Sequence, residues 1–163
     1  MFVEDDFLYT IDGGVDIKAV SNYVWAEYYP YPDRFGHYEL STRESAVDLV
    51  VKNKIAYIAD WVGNLEVADF SDPKNPRLIT VYDAGRRLSH LHIVNNYVFA
   101  VASRDGLLII DISNPKSPAL VGSYITGSYI SGLSIVCPYI YITDIDNGLY
   151  VLQTDFLTVD NCK

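Results

Sequence analysis

Apolar residues along this chain fall in short runs, none sustained at the helical spacing of about 3.6 residues, so the pattern predicts strands and almost no helix. Four runs in the middle, Leu91 to Val94, Tyr97 to Ala102, Leu107 to Ile112 and Ala119 to Tyr124, are set apart by three kinds of link. The first, Asn95-Asn96, is tight and polar. The second, Asp105-Gly106, carries glycine where hairpins favour it. The third, Ser113-Asn114-Pro115-Lys116-Ser117-Pro118, is braced by proline, which fixes φ and removes a backbone donor, so neither flanking strand can absorb it. Leu107-Leu108-Ile109-Ile110 is apolar at every position, as a strand covered on both faces must be.

This unit recurs. A shift of 42 residues superimposes Ile55, Tyr97 and Tyr139; Tyr57, Phe99 and Tyr141; Leu65, Leu107 and Leu149; and Val67, Ile109 and Val151, without a gap. The punctuation shifts with them: Asp69 with Asp111, Ser71 with Ser113, Pro73 with Pro115, Pro76 with Pro118, Tyr82 with Tyr124. Short strands buried on both faces at this period describe an all-β fold, a β-propeller or propeller fragment of about four blades built on a 42-residue four-stranded repeat. A β-sandwich would explain the short strands but needs no equal units.

The ends of the array are irregular. Val15-Asp16-Ile17 and Tyr23-Val24-Trp25-Ala26 match Val47-Asp48-Leu49 and Ile55-Ala56-Tyr57-Ile58 at a spacing of 32, so the first unit reads as an inner and a second strand with one strand lost. The last unit stops after Gln153 without a Pro loop or an outer strand, and Phe7 to Ile11 is expected to supply that outer strand and fasten the ring. The chain is thus one domain over residues 1–163, with a degenerate first unit and closing strand at 7–42 and units at 45–83, 89–125 and 131–155. About four units is the lower end of the typical propeller range. A closed four-bladed ring, a half ring completed by a second copy, and an open arc cut from a longer parent all stay open.

The stretch LSHLHIVNNYVFAVASRDGLLIIDISNPKSPALVGSY, with its copies at Ser45 to Asp83 and Ser131 to Asp155, resembles the LVIVD-repeat family of bacterial and archaeal β-propellers. The resemblance implies a propeller and, by family habit, an extracellular or cell-surface setting. It implies no particular activity, because propellers host enzymes, scaffolds and adhesins alike.

Twelve basic against twenty-one acidic side chains give a net charge of −9, which repels nucleic acid and anionic lipid. Apolar stretches fall far short of the ~20 residues that span a bilayer, and the acidic start MFVEDDFLYT is unlike a signal peptide. Neither nucleic-acid binding nor membrane insertion is expected. Cys137 and Cys162 outline no disulfide framework or metal cluster; Cys137 reads as a turn residue, and the redox compartment stays open.

In a propeller the loops entering the inner strands and those after the second strands share one face. That geometry groups Asp16, Asp48, His90 and Gly132 with Asp60, Asp144 and Arg104. Carboxylates and an imidazole at a ring centre could hold Ca²⁺ or an amine of a partner, whereas the plain alternative is that each Asp caps its own turn. Asp144-Ile145-Asp146-Asn147-Gly148 opens like a calcium loop but is one residue short and lacks the closing Glu, and its repeat slots are hairpin turns. His90 and His92 share a strand face at a spacing that suits zinc, with no third ligand evident. Arg86 and Arg87 form a basic pair suited to a partner's carboxylate. Tyr29 and Tyr31, in the aromatic stretch Tyr28 to Phe35, suit a binding patch.

No nucleophile motif, H-E-x-x-H or phosphate loop is present. The sequence therefore points to a non-enzymatic protein-interaction or ligand-binding module without a cofactor. The alternatives are a Ca²⁺-type hydrolase or lactonase, which needs at least three of Asp16, Asp48, His90, Asp60 and Asp144 round one point, and a remnant without independent function.

Overall fold

The computed structural model describes residues 2–4, 7–12, 16–21, 34–155 and 157–158. They form four antiparallel sheets, each an up-and-down meander. Blade 1 holds β1 (Phe2–Glu4), β2 (Phe7–Asp12), β3 (Asp16–Ser21) and β4 (Arg34–Glu39). Blade 2 holds β5 (Ala46–Lys52), β6 (Ile55–Asp60), β7 (Asn64–Asp69) and β8 (Arg77–Asp83), and blade 3 holds β9 (His90–Val94), β10 (Tyr97–Val101), β11 (Leu107–Asp111) and β12 (Ala119–Tyr124). Blade 4 has β13 (Ile130–Val136), β14 (Tyr139–Asp144) and β15 (Gly148–Gln153). One 3₁₀ turn, Ser103–Asp105, is the sole helical element among the described residues. The first strands lie innermost, β1 against β5, β5 against β9 and β9 against β13.

Strand alternation explains the apolar runs. Along β11, Leu107 and Ile109 face blade 4 while Leu108 and Ile110 face blade 2, and all four are buried. Each such side chain contributes roughly 1.5–3 kcal/mol on leaving water. Three apolar layers result. One, between blades 1 and 2, holds Tyr9 and Tyr38 against Phe70 at ring distances of 5.5 and 5.9 Å. The others lie between blades 2 and 3 and between blades 3 and 4.

The period extends to irregular features. A β-bulge interrupts the pairing of third and fourth strands at Val67/Ala68, Ile109/Ile110 and Ala19/Val20, adding the local twist that a blade requires. In the Pro loops Asp69 Oδ1 accepts from Ser71 N at 2.7 Å and Asp111 Oδ1 from Ser113 N at 2.8 Å. These side-chain bonds stop each third strand and start the turn.

Blade 1 departs from the sequence reading. Phe7–Asp12 pairs with β1 and β3, so it is the second strand of the first blade and not the closing strand of the last. Asp16 accordingly opens a third strand, opposite Asp12 and Glu39, and is not at an inner-strand start. The physical reason is β1, a three-residue strand too short to show periodicity, which takes the inner position. The first sheet has lost no strand, since β4 pairs with β3 as its fourth. Tyr23 to Ala26, Tyr29 and Tyr31 lie outside the described residues.

A buried carboxylate joins blades 1 and 2. Glu66, on β7, accepts from the Tyr38 hydroxyl, from Ser41 N at 2.9 Å and from Ser41 Oγ at 2.7 Å. Burial and then this hydrogen bond push the Tyr38 phenol far above its ordinary range. Between blades 2 and 3 burial alone pushes the Tyr57 phenol up to about 12. Cys137 is more than a turn residue: it is disulfide-bonded and packs against the layer between blades 3 and 4. The sequence has one other cysteine, Cys162, outside the described residues.

Candidate functional site at the channel mouth

The starts of the inner strands and the ends of the second strands lie at one end of the blades, because Ala46 pairs with Asp60, His90 with Val101 and Ile130 with Asp144. This end is the channel mouth. Of the residues grouped there from sequence, the structure places Asp48, Asp60, His90, Arg104 and Asp144 at it, and sets Asp16 aside on β3.

The aspartates are occupied locally. Asp60 is buried, its Oδ1 accepting from the amides of Val62, Gly63 and Asn64 at 2.8 to 3.1 Å and its Oδ2 from Asn64 Nδ2 at 2.7 Å. Asp144 repeats the motif, with Oδ1 accepting from Asp146 N, Asn147 N and Asn147 Nδ2. Its Oδ2 is buried without a hydrogen-bond partner; the Thr126 hydroxyl, which can rotate toward it, donates to Ser128 O at 3.1 Å. Burial raises the Asp144 carboxyl, but that hydroxyl and the Asn147 and Asp146 amides outweigh it and leave the group below the usual carboxylate range. Asp48 bridges blades, accepting from Leu49 N at 2.9 Å and from Leu91 N on β9 at 2.8 Å.

His90 is exposed beside Ser89 Oγ at 3.3 Å, while burial pushes the half-buried His92 down from its ordinary value. Among the described residues no three His, Cys, Asp or Glu side chains are arranged to hold a metal ion. Among the described residues the convergence that a Ca²⁺ site requires is not formed by these groups, whose hydrogen-bonded oxygens serve turns and a blade junction.

Sequence reasoning named the arginines of this end but missed the rings that two of them lie over. Arg87 lies over the Trp61 ring at 3.9 Å and donates from Nε to Trp61 O at 3.2 Å. Arg104 lies over the Tyr129 ring at 4.5 Å, and Arg86 donates to Asp105 O at 3.3 Å. Trp61 and Tyr129 stay 50% and 42% exposed, with exposed Val62 and Ile125 in the same loops and exposed Ile145 in the turn after β14. The two ring pairs are one junction with its chemistry exchanged: the loop after a second strand meets the loop entering the next blade, with the aromatic first in one and the cation first in the other. At the opposite end of blades 2 and 3 the loops carry Asp, Asn, Lys and Pro, folded onto their own amides. The overlooked signal was an apolar residue directly after Asp60 and Asp144, where a hairpin turn would ordinarily be polar. Asp12, at the end of β2, occupies the same place in blade 1.

Three consecutive segments, residues 44–84, 85–126 and 129–153, match the LVIVD repeat. The fold resembles the computationally designed Ika4 protein, with a TM-score of 0.70 and 12% identity over 93% of this chain and 88% of that one. It also resembles the computationally designed Ika8 protein, at 0.70 and 13% over 93% of this chain and 44% of that one. The N-terminal domain of Nup159 gives 0.65 and 10% over 96% of this chain and 41% of that one. Curated protein sequences offer no match.

Proposed function

Since this chain belongs to the LVIVD-repeat family, we propose that it is a non-enzymatic interaction module on a β-propeller scaffold, meeting a protein partner through the channel mouth. The observation that carries this reading is the contrast between the two ends of the blades. Half-exposed Trp61 and Tyr129 gather at the mouth with Arg86, Arg87 and Arg104, and aromatic and Arg side chains are the groups enriched at protein contacts. The arginines break the field of a chain of net charge −9, which favours a partner presenting a carboxylate beside an apolar side chain. The disulfide at Cys137 supports the cell-surface setting that the resemblance implies, because disulfides persist in oxidising compartments.

The test is to capture partners on the immobilised chain, purify each, and titrate it against variants. Trp61→Ser and Arg104→Ala are expected to weaken binding roughly tenfold or more. Leu120→Ser, on the outer strand of blade 3, should leave it unchanged. A partner bound equally by all three variants would overturn the assignment of the mouth.

A further inference from the structure

Blade 4 presents to solvent the face that blades 2 and 3 bury. Leu65 and Val67 of blade 2 are 0% exposed and Leu107 and Ile109 of blade 3 are 1% and 6% exposed, because the next blade covers them. Their equivalents Leu149 and Val151 are 62% and 53% exposed. Val136 and Tyr139 on β13 and β14 lie on the same face and are exposed too, while the other face, with Ile140, Ile142 and Leu152, packs on blade 3. The edge of β15 is open as well: a Cβ on Gly106 would come within 1.9 Å of Tyr124 O, at the end of the fourth strand of its own blade, whereas Gly148, its equivalent, has nothing within 4 Å, blade 4 having no fourth strand among the described residues.

We infer that a second copy of this chain docks on this face, blade 4 of each copy against blade 1 of the other. What fits the face is given by the two junctions already built with it: a blade side such as that of blade 3, whose Leu91, Val98, Ala100, Leu108 and Ile110 cover blade 2. On blade 1, Leu8 and Val20 stand at the register positions of Ala56 and Ala68 in blade 2. A two-fold pair makes this junction twice and leaves no blade face uncovered, which is the condition for a closed assembly.

The experiment is the solution mass by light scattering over a range of concentrations, for the full chain and for Leu149→Asp, Val151→Asp and the control Leu120→Asp. A mass of twice 18.3 kDa is expected for the wild type and the control. Because a carboxylate would have to be buried unpaired, each face variant should dissociate at a concentration roughly tenfold or more higher. Hydrogen exchange of β15 in the wild type, faster on dilution through the dissociation range, gives a readout that needs no variant. A monomer at every concentration, a mass above two copies, a dimer indifferent to both face substitutions, or β15 exchange independent of dilution would each overturn the proposal.

Discussion

Where blade 3 has Leu108, blade 2 has Glu66, and the exchange of one buried side chain shows how a residue can mark a junction. Its carboxylate satisfies the Tyr38 hydroxyl, which blade 1 would otherwise bury unpaired, and the backbone and hydroxyl of the exposed Ser41. Substituting Glu66→Leu keeps the volume and orphans the donors, so a loss of about 3 kcal/mol is expected in a denaturant melt. A loss below about 1 kcal/mol would show that water takes over the donors. His92 tests burial through pH. Its folded imidazole binds a proton less readily than the unfolded one, so stability is full above the ordinary value of 6.5 and falls as pH drops through the lower folded value. Replacing it by Leu should therefore shrink the fall in Tm between pH 7 and pH 5; an unchanged fall would assign that dependence to other groups.

At the scale of the element, glycine reports which turns are crowded. Gly106 adopts φ of +92° beneath the end of β12, and Gly148 adopts +85° with free space above it. An alanine at either is strained by the positive φ, at a cost of about 1–3 kcal/mol, but only at 106 must Tyr124 and Ile125 move as well. Gly106→Ala should lower Tm clearly more than Gly148→Ala, and equal shifts would mean that the end of β12 gives way freely. The strands of blades 2 to 4 were legible in the sequence because alternation and turn chemistry agree at each of them. Blade 1 was not. Val15-Asp16-Ile17 imitates Val47-Asp48-Leu49 over three residues, whereas the true correspondence runs over a whole strand, with Tyr9 and Asp12 in the places of Tyr57 and Asp60. Side-chain pairs across junctions, such as Arg87 on Trp61, left no trace in periodicity because each partner sits in a loop of a different unit.

For the whole molecule, burial is greatest in the middle. Strands β6, β7, β10 and β11 are covered on both faces and paired at both edges, so their amides should exchange most slowly with solvent. Under conditions where the chain is a monomer, β15 should exchange faster than β11; equal protection would mean that the face of blade 4 is covered within the chain. The Pro loops add to the acid sensitivity. The carboxyls of Asp69 and Asp111 are held low, each chiefly by the hydroxyl and amide of the serine two residues on, so their stabilising effect is present above pH 3.8 and lost as pH falls through the folded values. Replacing both by Asn should flatten the loss of Tm below pH 4, and an unchanged slope would place acid sensitivity elsewhere.

The bulge shared by the third and fourth strands, and the matched sides of blade 3, make the length of this array easy to change. Copying residues 85–126 in tandem would set between blades 3 and 4 a unit whose two sides meet neighbours of a kind they already meet. Growth by duplication therefore reuses the apolar sides as they stand, but at the mouth it sets Arg104 of one unit against Arg87 of the next, so an added unit has to regain an aromatic ring in one of those two loops.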